Sequence, residues 1–250
     1  MNLNDKASEN RKVLISFKNV SLSFGLKKIL DDVSFNIYEK DIVTIAGPSG
    51  TGKSTILKLI TGLIKPDKGE INVYSDRVCM AFQYPALFNS MTIYENVALA
   101  LSETTNLAEE EIEKRVLDAL NTVGLQNTED LTPDELSGGM QKRASIARAI
   151  ALLPEVILYD EPSSGLDPQT ASKLEDDIVR LRDQMGITSV VVSHDMGTIQ
   201  NVSDRIFILD NAKFVWQGTL GSFLSDNSKY PMLFKERLRL KKDKGQINNE

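Results

Sequence analysis

Apolar and polar positions alternate through the first patterned part of the chain. In LISFKNVSLSF (14–24), and again where Val33, Phe35 and Ile37 alternate with Ser34 and Asn36, the two-residue period predicts half-buried strands. DIVTIAG (41–47) is a continuous apolar run ending in glycine, the pattern of a buried strand that leads into a turn. From about 85 to 153 the period is that of helices. Thr92 and Glu95 have capping-box spacing, as do Thr132 and Glu135, where Pro133 takes the first helical position. Ile112, Val116, Leu120 and Val123 mark one helix face that Gly124 can close. After EVILYDE (155–161) strands and helices alternate again. TSVVVSHD (188–195) reads as a buried strand, and RIFILDNAKFVWQG (205–218) as two strands around Asp210 and Asn211. KERLRLKKDKGQINNE (235–250), with six basic and three acidic residues, reads as a helix fraying into a disordered tail. No internal repeat with a period of roughly 20–50 residues is visible. A βα core interrupted by a helical insertion predicts an α/β fold with a mainly parallel sheet.

Composition narrows the class. The 250 residues suffice for one large domain or two small ones, and 41% hydrophobic with 26% charged residues suits a globular protein in water. No apolar run approaches the length needed to cross a bilayer. The start, MNLNDKASENRK, lacks an apolar core and carries Asp5 and Glu9, which argues against a secretory signal or transit peptide. Cys79 is the one cysteine, so no internal disulfide forms and a reducing, cytosolic compartment is expected. A net charge of -6 argues against nucleic acid as a partner.

Three stretches carry chemistry. GPSGTGKST (Gly47, Pro48, Ser49, Gly50, Thr51, Gly52, Lys53, Ser54 and Thr55) matches G-x-x-x-x-G-K-[ST] between a predicted strand and ILKLITGL (56–63). Such a loop points backbone N–H groups at the phosphates of a nucleotide, Lys53 reaches the outer phosphates, and the Ser54 hydroxyl takes a place on Mg²⁺. A glycine-rich turn that binds nothing is the plainer alternative, and the strand–loop–helix context argues against it. In VILYDE (156–161), acids at the exposed end of a buried strand do not serve packing: Asp160 suits Mg²⁺ held through water, and Glu161 suits a base acting on, or orienting, an attacking water. DELSGGMQKR (134–143) puts Ser137, Gly138 and Gly139 before a patterned helix, a second place for an anion. A plain capped helix start explains Ser137 but not the glycine pair, which lowers helix propensity.

Phosphate loop, LSGG and an apolar strand ending in Asp-Glu, in that order, resemble the nucleotide-binding domain of ABC transporters over about residues 13–220. The resemblance implies a P-loop NTPase core with a mainly parallel sheet, an N-terminal antiparallel β subdomain, an α-helical subdomain at about 85–153 and a C-terminal extension at 221–250. It implies that Phe24 stacks on adenine, that Gln83 senses Mg²⁺ and water, and that His194, the only histidine, contacts the γ-phosphate. SGLD, Ser164 to Asp167, matches the loop after the acid pair. In this family two copies close head to tail on two ATP molecules, so Ser137 and the Gly138 and Gly139 amides would meet the γ-phosphate of the ATP held by the other copy. Met140 departs from the family pattern, in which glutamine is usual; here it follows as Gln141. LSGGMQKR, FQYPALF (82–88) and NVALAL (96–101) resemble the ATPase subunit of the Mla/MCE systems, which move phospholipid between membranes.

This implies an ATPase that drives transport through a separate permease, with an MCE-type lipid-binding protein as a further partner, in the cytoplasm and peripheral on the inner face of the cell membrane. In QYPALFNSM (83–91), Tyr84, Leu87, Phe88 and Met91 fall where the family receives a short helix from the membrane subunit; core packing is the plainer alternative for each one singly. The competing classes are a soluble ABC ATPase, for iron–sulfur assembly, DNA repair or translation, and a phosphoryl transferase with an unrelated P-loop. The transferase leaves LSGG and His194 unexplained. The acidic charge speaks against DNA repair, and the lack of a tandem second domain against the translation factors.

Overall fold

The two period-two stretches pair with each other. β1 (Val13–Phe24) and β2 (Lys27–Tyr38) run antiparallel, with Phe17 opposite Phe35 and Val20 opposite Val33. Their inward residues, among them Ile15, Phe17, Leu30 and Ile37, are buried. The computed structural model describes residues 11–233 and divides into two units. One comprises the chain up to Tyr74 and from Val190 onward; the other is Ser75–Ser189. The tail expected at 235–250 lies outside the described residues.

In the first unit β4 (Lys68–Val73) joins β1 to complete a three-stranded antiparallel sheet, order β2-β1-β4. β3 (Ile42–Ala46), the run buried along its whole length, pairs in parallel with β8 (Arg205–Asp210), which pairs antiparallel with β9 (Lys213–Thr219). The β8–β9 connection is the two residues Asn211 and Ala212, with φ of 47° and 64°, the positive pair that a tight hairpin needs. Phe35 joins the two sheets: it stacks on Phe17 at 4.4 Å and meets Phe207 and Phe214 edge-on at 5.5 and 5.3 Å. At the entry to β3, the buried Asp41 pairs with Arg11 and, at 3.2 Å, with Arg205. α1 (Lys53–Ile60), α6 (Met196–Val202) and α7 (Leu220–Ser225) complete this unit.

The second unit holds β5 (Val78–Ala81), parallel to β6 (Val156–Asp160), and the helices α2 (Ile93–Thr104), α3 (Glu109–Thr122), α4 (Gly138–Ile150) and α5 (Pro168–Met185). β7 (Thr188–Ser193) begins in this unit and ends in the first. α2 starts at the expected capping box: Thr92 Oγ1 accepts from Glu95 N at 3.1 Å, and Glu95 Oε2 accepts from Thr92 N at 2.7 Å. α3 ends where Gly124 takes φ 68°; the amides of Gly124 and Leu125 return to the Asn121 and Leu120 carbonyls, and Leu125 buries beside Leu120. The second capping box forms as expected, with Glu135 Oε2 accepting from Thr132 N at 2.8 Å and Pro133 opening the turn, but no α-helix follows it directly. Pro133–Glu135 form one 3-10 turn, because Leu136 is extended (φ −99°, ψ 146°) and the α-helix starts afresh at Ser137. No described helix is long and apolar enough to cross a membrane.

Candidate nucleotide site

In the first unit the chain leaves β3 at Ala46 and turns through Gly47–Gly52 into α1, so that Lys53, Ser54 and Thr55 form the first turn of the helix. A Cβ on Gly47 would stand 2.3 Å from the Leu209 carbonyl oxygen, so only glycine passes β8 this closely. Gly52, φ 104°, is the N-cap of α1 and brings no side chain, so no side-chain oxygen answers the positive end of the helix there. Lys53 is buried beneath the loop, its Nζ donating to the Gly47 and Pro48 carbonyls at 3.0 Å each. Thr51 Oγ1 donates to the same Pro48 carbonyl at 2.9 Å. The ammonium thus lies against two carbonyls of the loop, where an anion brought to the loop could accept from it. Phe24, at the end of β1, is 55% exposed. His194 is exposed between β7 and α6. Its neighbour Asp195 caps α6, with Oδ1 accepting from the Gly197 and Thr198 amides at 2.8 and 3.2 Å.

In the second unit Val156–Tyr159 are wholly buried, and Asp160 and Glu161 emerge half-buried at the strand end. Glu161 has φ 49°, a left-handed conformation that costs a non-glycine residue roughly 1–2 kcal/mol and turns the chain sharply after Asp160. Lys142 of α4 holds the segment that follows: its Nζ donates to the Pro162 carbonyl at 2.7 Å and to the Ser164 carbonyl at 2.5 Å. Burial lowers the pKa of that ammonium, while the negative charge of Glu161 works against the lowering. Asp167 caps α5 by accepting from the Gln169 and Thr170 amides at 3.1 Å each, and its hydrogen bonds to Thr170 hold its carboxyl below the usual range.

Ser137 caps α4, accepting from Met140 N at 3.3 Å, with Gly138 exposed beside it. Gly139 is buried, and a Cβ there would meet Thr170 Cγ2 at 2.3 Å, so one glycine of the pair serves close packing on α5. Gln141 is not spare: its Nε2 donates to the Pro133 carbonyl at 2.8 Å and pins the 3-10 turn ahead of the helix. Gln83 is exposed just past β5. In the following loop Tyr84 is 78% and Phe88 51% exposed, with Leu87 and Met91 half-buried. None of the four is core.

The residues named from sequence therefore fall into two sets. Phe24, the phosphate loop and His194 belong to the first unit; Gln83, Ser137–Gly139, Asp160, Glu161 and Asp167 belong to the second. Sequence reasoning passed over Lys142, Asn96 and Arg148. Only Asn96 left a trace: it shares the apolar face of α2 with Ile93, Val97 and Leu101, where a buried amide demands partners.

The profile of the ABC transporter family matches residues 30–164. The chain belongs to the ABC transporter family. It is an ATP-hydrolysing subunit of that family. Relatives of this ABC ATPase include the Arabidopsis thaliana protein trigalactosyldiacylglycerol 3, chloroplastic, 40% identical over 86% of this chain and 71% of that protein. The intermembrane phospholipid transport system ATP-binding protein MlaF of Escherichia coli K12 is 40% identical over 82% of each chain. The Fe(3+) ions import ATP-binding protein FbpC of the same strain is 34% identical over 90% of this chain and 71% of its own. Among solved structures, the dimeric ATP-binding cassette MJ0796, in a post-hydrolysis state with ADP and Pi, superposes with a TM-score of 0.74 at 33% identity, covering 82% of this chain and 98% of that one.

Proposed function

We propose that this ABC ATPase powers phospholipid transport through a separate membrane subunit, working as two copies that close head to tail on two ATP molecules. The observation that carries the substrate class is the 40% identity over 82% of both chains to an ATP-binding protein of intermembrane phospholipid transport, against 34% to an iron importer. The exposed Tyr84 and Phe88 favour a docked membrane subunit over a soluble role. That subunit holds the ATPase on the cytoplasmic, inner face of the membrane, and an MCE-type lipid-binding protein completes the assembly.

Each residue then has a task. Phe24 stacks on adenine, the phosphate-loop amides and Lys53 take the phosphates, and His194 contacts the γ-phosphate. Glu161 accepts the proton of the attacking water, its position fixed by the left-handed turn and by the grip of Lys142 on the carbonyls beyond it. The Oγ of Ser137 is fixed by accepting from Met140 N, which leaves its hydroxyl proton to donate to the partner copy's γ-phosphate beside the Gly138 and Gly139 amides. The donor set fits Mg²⁺ taken with the nucleotide. The assigned groups, the Ser54 hydroxyl, the Asp160 carboxylate and the Gln83 amide carbonyl, offer the hard oxygens that Mg²⁺ takes. When bound, Mg²⁺ offsets negative charge on the phosphates.

The test is reconstitution of the full chain with its membrane subunit, following ATP-dependent transfer of labelled phospholipid between vesicles. Transfer that needs ATP and is lost in Glu161→Gln supports the proposal. ATP turnover stimulated by iron or by methionine, without lipid transfer, overturns it.

A further inference from the structure

The loop that carries Tyr84 and Phe88 is held by its main chain. Arg148, in the last turn of α4, donates from Nη1 to the Ala86 carbonyl at 2.9 Å and from Nη2 to the Pro85 carbonyl at 3.0 Å. Successive carbonyls alternate in direction along an extended chain, and one guanidinium cannot take both. The left-handed Ala86, φ 49°, brings the two to the same side. The later part of the loop is held by Asn96 of α2, which is wholly buried. Its Oδ1 accepts from Phe88 N at 2.7 Å, and its Nδ2 donates to the Phe88 and Thr92 carbonyls at 3.0 and 2.9 Å. The loop closes on itself through Met91 N and the Phe88 carbonyl, 3.1 Å apart.

α4 is also the helix that opens with Ser137, Gly138 and Gly139. Its 13 residues span about 20 Å, with the glycine pair at one end and Arg148 in the final turn. An arginine in a last turn ordinarily serves that turn's own carbonyls and the negative end of the helix. Here the fork reaches into another segment and makes its two bonds from two separate, coplanar nitrogens, a fixed geometry that a lysine, donating from one nitrogen on a flexible stem, does not share.

We propose that Arg148 is a positioning residue that fastens the membrane-subunit docking loop to the helix behind LSGG, so that residues 85–91 follow any displacement of Ser137–Gly139 as one body. This rests on the docking assigned above to Tyr84 and Phe88. Movement at the ATP interface then reaches the membrane subunit through α4 and two hydrogen bonds, and the loop is ordered before its partner arrives.

Hydrogen exchange on the full-length chain, followed by mass spectrometry, tests the fastening without a partner. Arg148→Met should speed exchange of the amides at 86–91 by about tenfold or more, with the amides of 144–147 in α4 unchanged. Arg148→Lys should fall between it and wild type. Intrinsic ATP turnover should stay within about twofold, while lipid transferred per ATP hydrolysed in the reconstituted complex should fall by about tenfold or more. Unchanged loop exchange overturns the proposal. So does faster exchange of α4 in both variants, which would make Arg148 a prop for its own helix, and so does a loosened loop with transfer per ATP at the wild-type level. Phe88→Ser serves as the control for docking: an intact complex in that variant removes the docking assignment, whereas the exchange result with Arg148→Met still decides whether the loop is fastened.

Discussion

Alanine at two glycines of the phosphate loop should have unequal costs, because one glycine answers to packing and the other to conformation. A Cβ on Gly47 would lie 2.3 Å from the carbonyl oxygen of Leu209, roughly 1 Å short of ordinary contact. That oxygen belongs to β8, which is laddered to β3 on one side and β9 on the other, so no side-chain rotation relieves the clash. Overpacking of this kind costs about 1–3 kcal/mol, and an immovable backbone neighbour puts Gly47→Ala near the upper end. At roughly 2–4 °C per kcal/mol for a chain of this size, the melting temperature should fall by about 6–12 °C. Gly50 has φ 76° and nothing within 4 Å of an added Cβ. Gly50→Ala therefore pays only for a left-handed alanine, about 1 kcal/mol or roughly 2–4 °C. Circular dichroism melts of the two variants without nucleotide make the comparison. Equal losses, or a larger loss for Gly50→Ala, would refute the assignment of Gly47 to the β8 contact.

Glu161→Gln should keep ATP binding while turnover falls by roughly 10²–10⁴-fold, whereas Lys53→Ala should weaken binding itself; equal ATP affinities in the two variants would contradict that division. The same Glu161→Gln variant should elute as a dimer with Mg-ATP and as a monomer without it, and a monomer in both conditions counts against the head-to-tail closure. Replacing Leu87 and Phe88 together by serine should cost only about 2 kcal/mol, since Phe88 is already half exposed, yet should abolish co-purification with the membrane subunit; early melting or an unchanged complex would sink the docking surface. Burial pushes the Cys79 thiol up to about 11, so about one molecule in a thousand carries the thiolate at pH 8, and iodoacetamide should label the native chain far more slowly than the unfolded one.

What was legible in the sequence is what local chemistry decides. The strand–loop–helix order around Gly47–Thr55, the Thr92–Glu95 box and the closure of α3 at Gly124 each depend on a few neighbouring residues and form as read, except that α1 already begins at Lys53 and ends at Ile60. β4 passed unread because KGEINV has no buried alternate positions to give it a period. Thr132–Glu135 has the right spacing for a helix start, but whether the turn continues depends on Leu136, which extends so that Ser137 can cap anew. The strained turn at Glu161 shows in no pattern, since glutamate is an ordinary residue in every other conformation. Arg148 is the hardest case: its partners are carbonyls about sixty residues away, and a carbonyl carries no side-chain identity to read.

That same indifference to identity sets how the loop can diverge. Arg148 and Asn96 grip Pro85, Ala86 and Phe88 through main-chain atoms alone. The side chains at 84, 87 and 88 can therefore be exchanged wholesale, and the loop keeps its shape and its attachment as long as position 86 tolerates a left-handed turn. On the docking proposed above, one motor can thus be refitted to a different membrane subunit by rewriting three side chains, with the machinery that burns ATP left untouched.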